Sequence, residues 1–188
     1  MEWNLQHIAE AARIIKLGGV VAYPTEAVFG LGCAPEEKAA VKRLLKLKHR
    51  SADKGLILIA ADVPQLDPFI APLSDKLKKQ LLSTWPGPVT WVLPAAPYVS
   101  PLLRGKYSTI AVRVTAHPIA ARLCRYARTA IVSTSANISG REPARSIEHV
   151  ATEFGGQIDF ILEGPIDPTG TPTEIRNGKS GRIIRAGN

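Results

Sequence analysis

The stretch Ile131-Val132-Ser133-Thr134-Ser135-Ala136-Asn137-Ile138-Ser139-Gly140 opens apolar, then sets four hydroxyls and a carboxamide within seven residues and ends on a glycine. The apolar start reads as the end of a buried strand. The polar run reads as a loop at that end, where hydroxyls, amides and backbone N–H groups converge on an anion. A Ser/Thr/Asn turn that caps the following helix draws on the same residue types. Separated cations complete the set: Lys48, Arg50, Arg113 and Arg185. Such a set suits phosphate and carboxylate recognition. Catalysis of that kind holds two anions together and neutralises charge as it develops, with no covalent nucleophile.

Each cation has two readings. Lys48 falls four residues after Leu44 and seven after Val41, in phase with a buried stripe, so its charge calls for a partner. A helix-end lysine that snorkels to water or meets the last carbonyls fits the same position. Arg113 lies inside the apolar run Thr109 to Val114. It is either an edge-strand arginine facing solvent or a fixed guanidinium that takes a carboxylate or phosphate bidentately. Thr25 and Glu26 form a polar dipeptide after an apolar strand, where open α/β sheets place ligand contacts and where simple turns also occur.

Other chemistry is disfavoured. Gly178-Lys179-Ser180 looks like the tail of a P-loop, but the glycine required five residues earlier is Thr173. Neither Ser133 nor Ser135 lies in a GxSxG elbow, and His7, His49, His117 and His149 show no metal spacing. Cys33 and Cys124 are far apart and read as small core residues. The chain carries 24 Lys and Arg against 16 Asp and Glu, a formal charge of +8, which favours an anionic partner such as a nucleotide or tRNA. It has no RGG tract, no basic block and no aromatic ladder for single strands. No apolar run approaches the roughly 20 residues of a spanning helix, and the N-terminus lacks a signal-like pattern, so a cytoplasmic protein with no membrane contact is expected.

The elements that must position these residues follow from periodicity. Helices are expected after Asn4 (Leu5, Ile8, Ala9, Ala12, Ile15), after Pro35 (Ala40, Val41, Leu44, Leu45), after Ser74 (Leu77, Leu81, Leu82), from His117-Pro118 and after Ser146. Strands are expected over Val20 to Tyr23, broken by Pro24, and over Val28 to Cys33, Leu56 to Ala61 and Val89 to Leu93. Further strands are expected over Thr109 to Val114, Thr129 to Thr134, Ile158 to Leu162 and Arg182 to Arg185. Gly164 to Thr173 reads as a loop. With 188 residues and this interleaving, the expectation is one α/β domain over residues 1–188, three-layered, with a twisted mixed sheet flanked by helices.

Five motifs then occur in order: Tyr23-Pro24-Thr25-Glu26-Ala27-Val28-Phe29-Gly30-Leu31-Gly32, Lys48-His49-Arg50, Trp85-Pro86-Gly87-Pro88-Val89-Thr90, Ala111-Val112-Arg113, and Ser133 through Gly140. In order and spacing the chain resembles the YrdC/TsaC family of threonylcarbamoyl-AMP synthases over essentially its whole length. The resemblance implies an enzyme that joins L-threonine, bicarbonate and ATP into threonylcarbamoyl-adenylate and pyrophosphate. TsaD/TsaB/TsaE-type proteins then transfer the group to tRNA position 37, with direct tRNA binding left open. It implies a basic concave face and magnesium arriving with ATP, with no protein metal ligand.

The resemblance also implies residue roles. Lys48, Arg50, Ser135 and Asn137 match the family's catalytic and phosphate-binding elements, with Thr109 and Arg185 as further nucleotide contacts. Thr25, Arg113, Ser133 and Thr171 match the threonine pocket, Arg113 pairing with the amino acid's carboxylate. Ser51-Ala52 stand where the family has proline, so a less rigid loop after Arg50 is expected. The chain reads as the short form, without the extra C-terminal domain of longer members. Two rivals remain: a noncatalytic RNA-binding protein using the same basic concavity, and a carbamoyl-transfer domain like that of hydrogenase maturation factors.

Overall fold

The computed structural model describes residues 4–167 and 173–187. Helix α1 (Leu5–Lys16) begins where the Asn4 side chain accepts hydrogen bonds from the backbone N–H groups of Gln6 and His7, at 3.1 and 3.3 Å. Its buried residues Ile8, Ala11, Ala12 and Ile15 recur at helical spacing, so one stripe is withdrawn from water. Then follow β1 (Val21–Pro24), β2 (Phe29–Gly32), α2 (Lys38–Leu47), β3 (Ile57–Ala60), α3 (Asp75–Leu82), β4 (Val89–Pro94) and α4 (Pro101–Arg104). The chain continues through β5 (Thr109–Val114), α5 (Pro118–Ala127), β6 (Ile131–Ser135), α6 (Ile147–Phe154), β7 (Phe160–Ile161), β8 (Glu174–Asn177) and β9 (Ile183–Arg185).

The described strands form one mixed sheet in the order β7-β1-β2-β6-β3-β5-β4-β8-β9. The pairs β1/β7, β3/β5 and β4/β8 are parallel and the rest antiparallel. Alternation along the strands sends successive side chains to two cores. Val21, Tyr23, Ile59 and Ile131 join the apolar faces of α1 and α5. Val20, Ala22, Leu58, Ala60 and Val132 join α2 and α6 through Val41, Leu44, Val150 and Phe154 on the other side. Each of the Val, Leu, Ile and Phe side chains among these, fully buried, contributes about 1.5–3 kcal/mol of transfer free energy. The α/β mixed-sheet architecture expected from the sequence is thus present.

Four details differ from the sequence expectation. Strand β6 runs on through Ser135, one residue beyond the expected Thr134, so the polar loop begins only after it, because β6 lies between β2 and β3 and their ladders hold its backbone extended. Pro24 is the last paired residue of β1, opposite Phe29, rather than its breaker; a proline is tolerated where a strand ends. Strand β8 was not legible: Glu-Ile-Arg-Asn is short and polar, and it becomes a strand by pairing in parallel with β4. Leu82 is exposed, so α3 buries Leu81 alone of the apolar residues named for it.

Candidate functional site

A cavity of about 320 Å³ opens over the centre of the sheet. Its floor is strand residues: Gly30 of β2, Ser133 and Ser135 of β6, Ile57 of β3, Arg113 of β5 and Thr90 of β4. Register brings them abreast. Gly30 pairs with Ser135, Ile57 pairs with Ser133, Ile59 with Arg113, and Trp91, one residue after Thr90, with Val112. The connection 25–28 forms one wall. Arg50, Leu56, Pro143, Thr173 and Arg185 form the others.

The glycines of the first motif have a packing purpose. A Cβ on Gly32 would stand 2.6 Å from the Val132 carbonyl oxygen and 2.8 Å from the Tyr23 ring, and one on Gly30 would stand 3.3 Å from that ring. Without those carbons the Tyr23 ring lies across β2 and its hydroxyl donates to Ser133 Oγ at 2.7 Å. Tyr23 is fully buried, and burial pushes its phenol pKa well up, so it serves as a neutral donor. Thr25 is held by its own turn, its Oγ1 donating to the Val28 carbonyl at 2.6 Å.

Arg113 is 5 % exposed on an interior strand, which removes the solvent-facing reading. Its Nη1 donates to Glu26 Oε1 at 2.8 Å, and the same oxygen accepts from Thr115 Oγ1 at 2.9 Å. Burial, the largest single influence, would raise the Glu26 carboxyl; the Arg113 guanidinium, a backbone N–H and the Thr115 hydroxyl together outweigh it and hold the group below the usual carboxylate range. Arg113 Nε is buried with no hydrogen-bond partner among the described residues, and so is Arg50 Nε. A buried guanidinium N–H left without a partner is costly, and in a cavity wall it marks a place for an anionic oxygen.

Lys48 sits at the C-cap of α2 and is 2 % exposed. Its ammonium donates to the backbone carbonyls of Ser135 and, at 2.8 Å, Asn137, with Asn137 Oδ1 at 3.4 Å. Burial, and to a smaller extent the Arg50 charge, lowers its pKa to about 8. Asn137 is equally engaged: its Oδ1 accepts from Ser135 Oγ at 2.6 Å and its Nδ2 donates to the Ile138 and Arg141 carbonyls at 3.0 and 2.8 Å. Lys48 and Asn137 therefore tie down the end of β6 from behind, while Ser135 reaches the cavity.

Arg50 is anchored through Nη2 to the Gly55 carbonyl at 2.9 Å, and Arg185 through Nη2 to the Thr173 carbonyl at 2.8 Å. Of the residues expected at a site, the fold brings Thr25, Arg50, Arg113, Ser133, Ser135 and Arg185 to one cavity. Lys48, Asn137 and Thr109 are not among its lining residues; Thr109 starts β5, paired with Pro94. Thr171 lies outside the described residues. Glu26, read from the sequence only as half of a polar dipeptide with two readings, lines the cavity, as do Thr90 and Thr173, which were given no site role. The signals were faint: Glu26 beside Thr25, and Thr90 as a hydroxyl inside an apolar strand.

Among the described residues, Arg50, Arg113 and Arg185 line this cavity together with the carboxylate of Glu26 and the hydroxyls of Thr25, Thr90, Ser133, Thr134, Ser135 and Thr173. Among the described residues no three His, Cys, Asp or Glu side chains are grouped to hold a metal ion. Fold and cavity together define an α/β protein whose mixed sheet floors a cavity lined by Arg50, Arg113 and Arg185. Residues 13–187 match the Sua5_yciO_yrdC family model, described as "Telomere recombination", and the chain belongs to that family. It is 56% identical over 175 residues to a threonylcarbamoyl-AMP synthase of Nitrosococcus oceani, covering 93% of this chain and 95% of that one. It is 48% identical to the enzyme of that name from Photobacterium profundum, covering 98% and 99%. The crystal structure of P. abyssi Sua5 complexed with L-threonine superposes with a TM-score of 0.89 at 36% identity over 96% of this chain. This chain spans 54% of that longer one.

Proposed function

We propose that this protein is a threonylcarbamoyl-AMP synthase that condenses L-threonine, bicarbonate and ATP to threonylcarbamoyl-adenylate, pyrophosphate and water. The observation that carries the reading is the pair of buried, partnerless guanidinium N–H groups, on Arg50 and Arg113, in one cavity whose floor also holds Ser133 and Ser135. Two anion sites in one enclosure suit a reaction that joins a carboxylate-bearing amino acid to a phosphate ester. Arg113 takes the threonine carboxylate, with Ser133 and Thr25 beside it. Arg50 and Arg185 take nucleotide phosphates. Ser135 orients the α-phosphate, and Lys48 and Asn137 hold the strand end that carries it.

The threonine ammonium first gives up a proton to solvent; the free amine then takes up the carbon of bicarbonate, with loss of water, as a carbamate, and a carbamate oxygen attacks the α-phosphate in line as pyrophosphate leaves. The guanidinium groups offset the charge that develops on the phosphates. Magnesium arrives with ATP, held by phosphate oxygens and water, since the one carboxylate among the described lining residues, Glu26, is already paired with Arg113. TsaD/TsaB/TsaE-type proteins consume the adenylate in tRNA modification, which puts the reaction in the cytoplasm. No helix among the described residues is long and apolar enough to cross a membrane.

The test is pyrophosphate release by the purified protein with ATP, magnesium and bicarbonate, with L-threonine, without it, and with L-serine. Release that requires both threonine and bicarbonate is expected. ATP binding without such release would leave the family fold with a different chemistry. Within the site, Arg113→Ala should raise KM for threonine far more than KM for ATP, and Arg50→Ala should do the reverse; equal effects on both substrates would sink this division of the cavity.

A further inference from the structure

Glu26 is the one carboxylate among the described lining residues of a cavity that also holds Arg50, Arg113 and Arg185. An amino acid enters such a cavity as a zwitterion. Its carboxylate is welcomed by any of the three cations, but its ammonium group is repelled by all of them. We propose that Glu26 and Arg113 form a clamp for the two charges of the amino-acid substrate, Glu26 holding the α-ammonium group and Arg113 the carboxylate. The proposal rests on the threonine reading above and adds a residue to it.

The geometry divides the work. Arg113 meets Glu26 through Nη1, at 2.8 Å, on one side of its planar guanidinium. Its Nε is buried and has no partner among the described residues. Nε–H and one hydrogen of Nη2 make the edge on which a carboxylate binds with two parallel hydrogen bonds. The substrate carboxylate can therefore dock without displacing Glu26. The α-ammonium is attached to the carbon next to that carboxylate, so it arrives beside Arg113, where Glu26 supplies the negative charge. Glu26 is in turn held in place by Thr115 Oγ1 at 2.9 Å, on the residue two beyond Arg113 in the chain. The carboxylate is thus fixed before the substrate arrives, which reduces the entropy lost on binding.

A purely structural ion pair would support Arg113 and discriminate nothing about the ligand's nitrogen. Calorimetric titration of L-threonine and of its 2,3-dihydroxybutanoate analogue, in which a hydroxyl replaces the ammonium at the same configuration, separates the two roles. The wild-type protein is expected to prefer threonine by about tenfold to a hundredfold, the range of a charge-assisted hydrogen bond. Glu26→Gln is expected to bring that ratio close to one, with the analogue binding as well as before or better, while Glu26→Asp keeps most of the preference. Loss of both ligands to the same extent in Glu26→Gln, or an unchanged ratio, would overturn the clamp. ATP binding by Glu26→Gln reports that the variant is folded; should it not fold, an Asp variant that loses both ligands equally is the overturning result. A wild-type protein that binds neither ligand and releases no pyrophosphate would remove the threonine reading itself, a failure distinct from that of the clamp.

Discussion

At the scale of residues, the site depends on buried polar groups whose partners are chosen one by one. Lys48 is the sharpest case: an ammonium nearly out of water, with backbone carbonyls instead of a carboxylate as partners. Its pKa of about 8 lies below its ordinary 10.5, so between those values the unfolded chain binds more protons than the folded one. Folding stability then gains as pH rises through that window, and the buried charge is a burden below it. Lys48→Met removes this dependence. Chemical denaturation should show wild type gaining on the Met variant by up to about 3 kcal/mol between about pH 8 and pH 10; parallel curves would show that the ammonium is not burdened. The neutral amine keeps two N–H donors, enough for two carbonyls, so the end of β6 should hold its shape at the higher pH.

At the scale of elements, the site is the consequence of two adjoining strands with complementary needs. Tyr23 of β1 needs room for its ring, and Gly30 and Gly32 of β2 supply it. Gly32→Ala would put a carbon against the Val132 carbonyl, which a central strand cannot withdraw, so a loss of about 1–3 kcal/mol is expected, read as a lowered melting temperature. Gly30→Ala is milder in contact, with Thr25 Cγ2 at 3.2 Å and the Tyr23 ring at 3.3 Å, but Thr25 lines the cavity and Tyr23 holds Ser133, which lines it too, at the place proposed for threonine. Its expected effect is a raised KM for threonine with a smaller change in melting temperature than Gly32→Ala. A larger loss of stability in Gly30→Ala than in Gly32→Ala would refute this account of the motif.

At the scale of the whole molecule, the chain carries a formal charge of +8, and among the described residues Arg50, Arg113 and Arg185 line the cavity together with Glu26. ATP carries several negative charges and threonine carries none in sum. Raising ionic strength from about 0.05 M to about 0.3 M shortens the Debye length from about 14 Å to about 6 Å. ATP affinity should therefore fall severalfold while threonine affinity changes little; equal salt dependence for the two would argue against a separate cationic site for the phosphates.

Much of this was legible in the sequence, and the reason is local. Apolar periodicity and capping residues act within a few positions, so the helices after Asn4, Ser74 and Ser146 and the strand carrying Arg113 could be read directly. The identities of Thr25, Arg50, Arg113, Ser133, Ser135 and Arg185 as chemically capable residues were also local facts. Pairing between distant strands decided the rest. It placed β5 inside the sheet and so buried Arg113, carried β6 on through Ser135, and turned the polar segment Glu174–Asn177 into β8 beside β4. It likewise set Glu26 against Arg113 across 87 positions of sequence and turned Lys48 toward carbonyls 87 and 89 positions away. Hydrogen-bond partners and burial are properties of that assembly, because water is excluded only once the sheet and its flanking helices have closed around them.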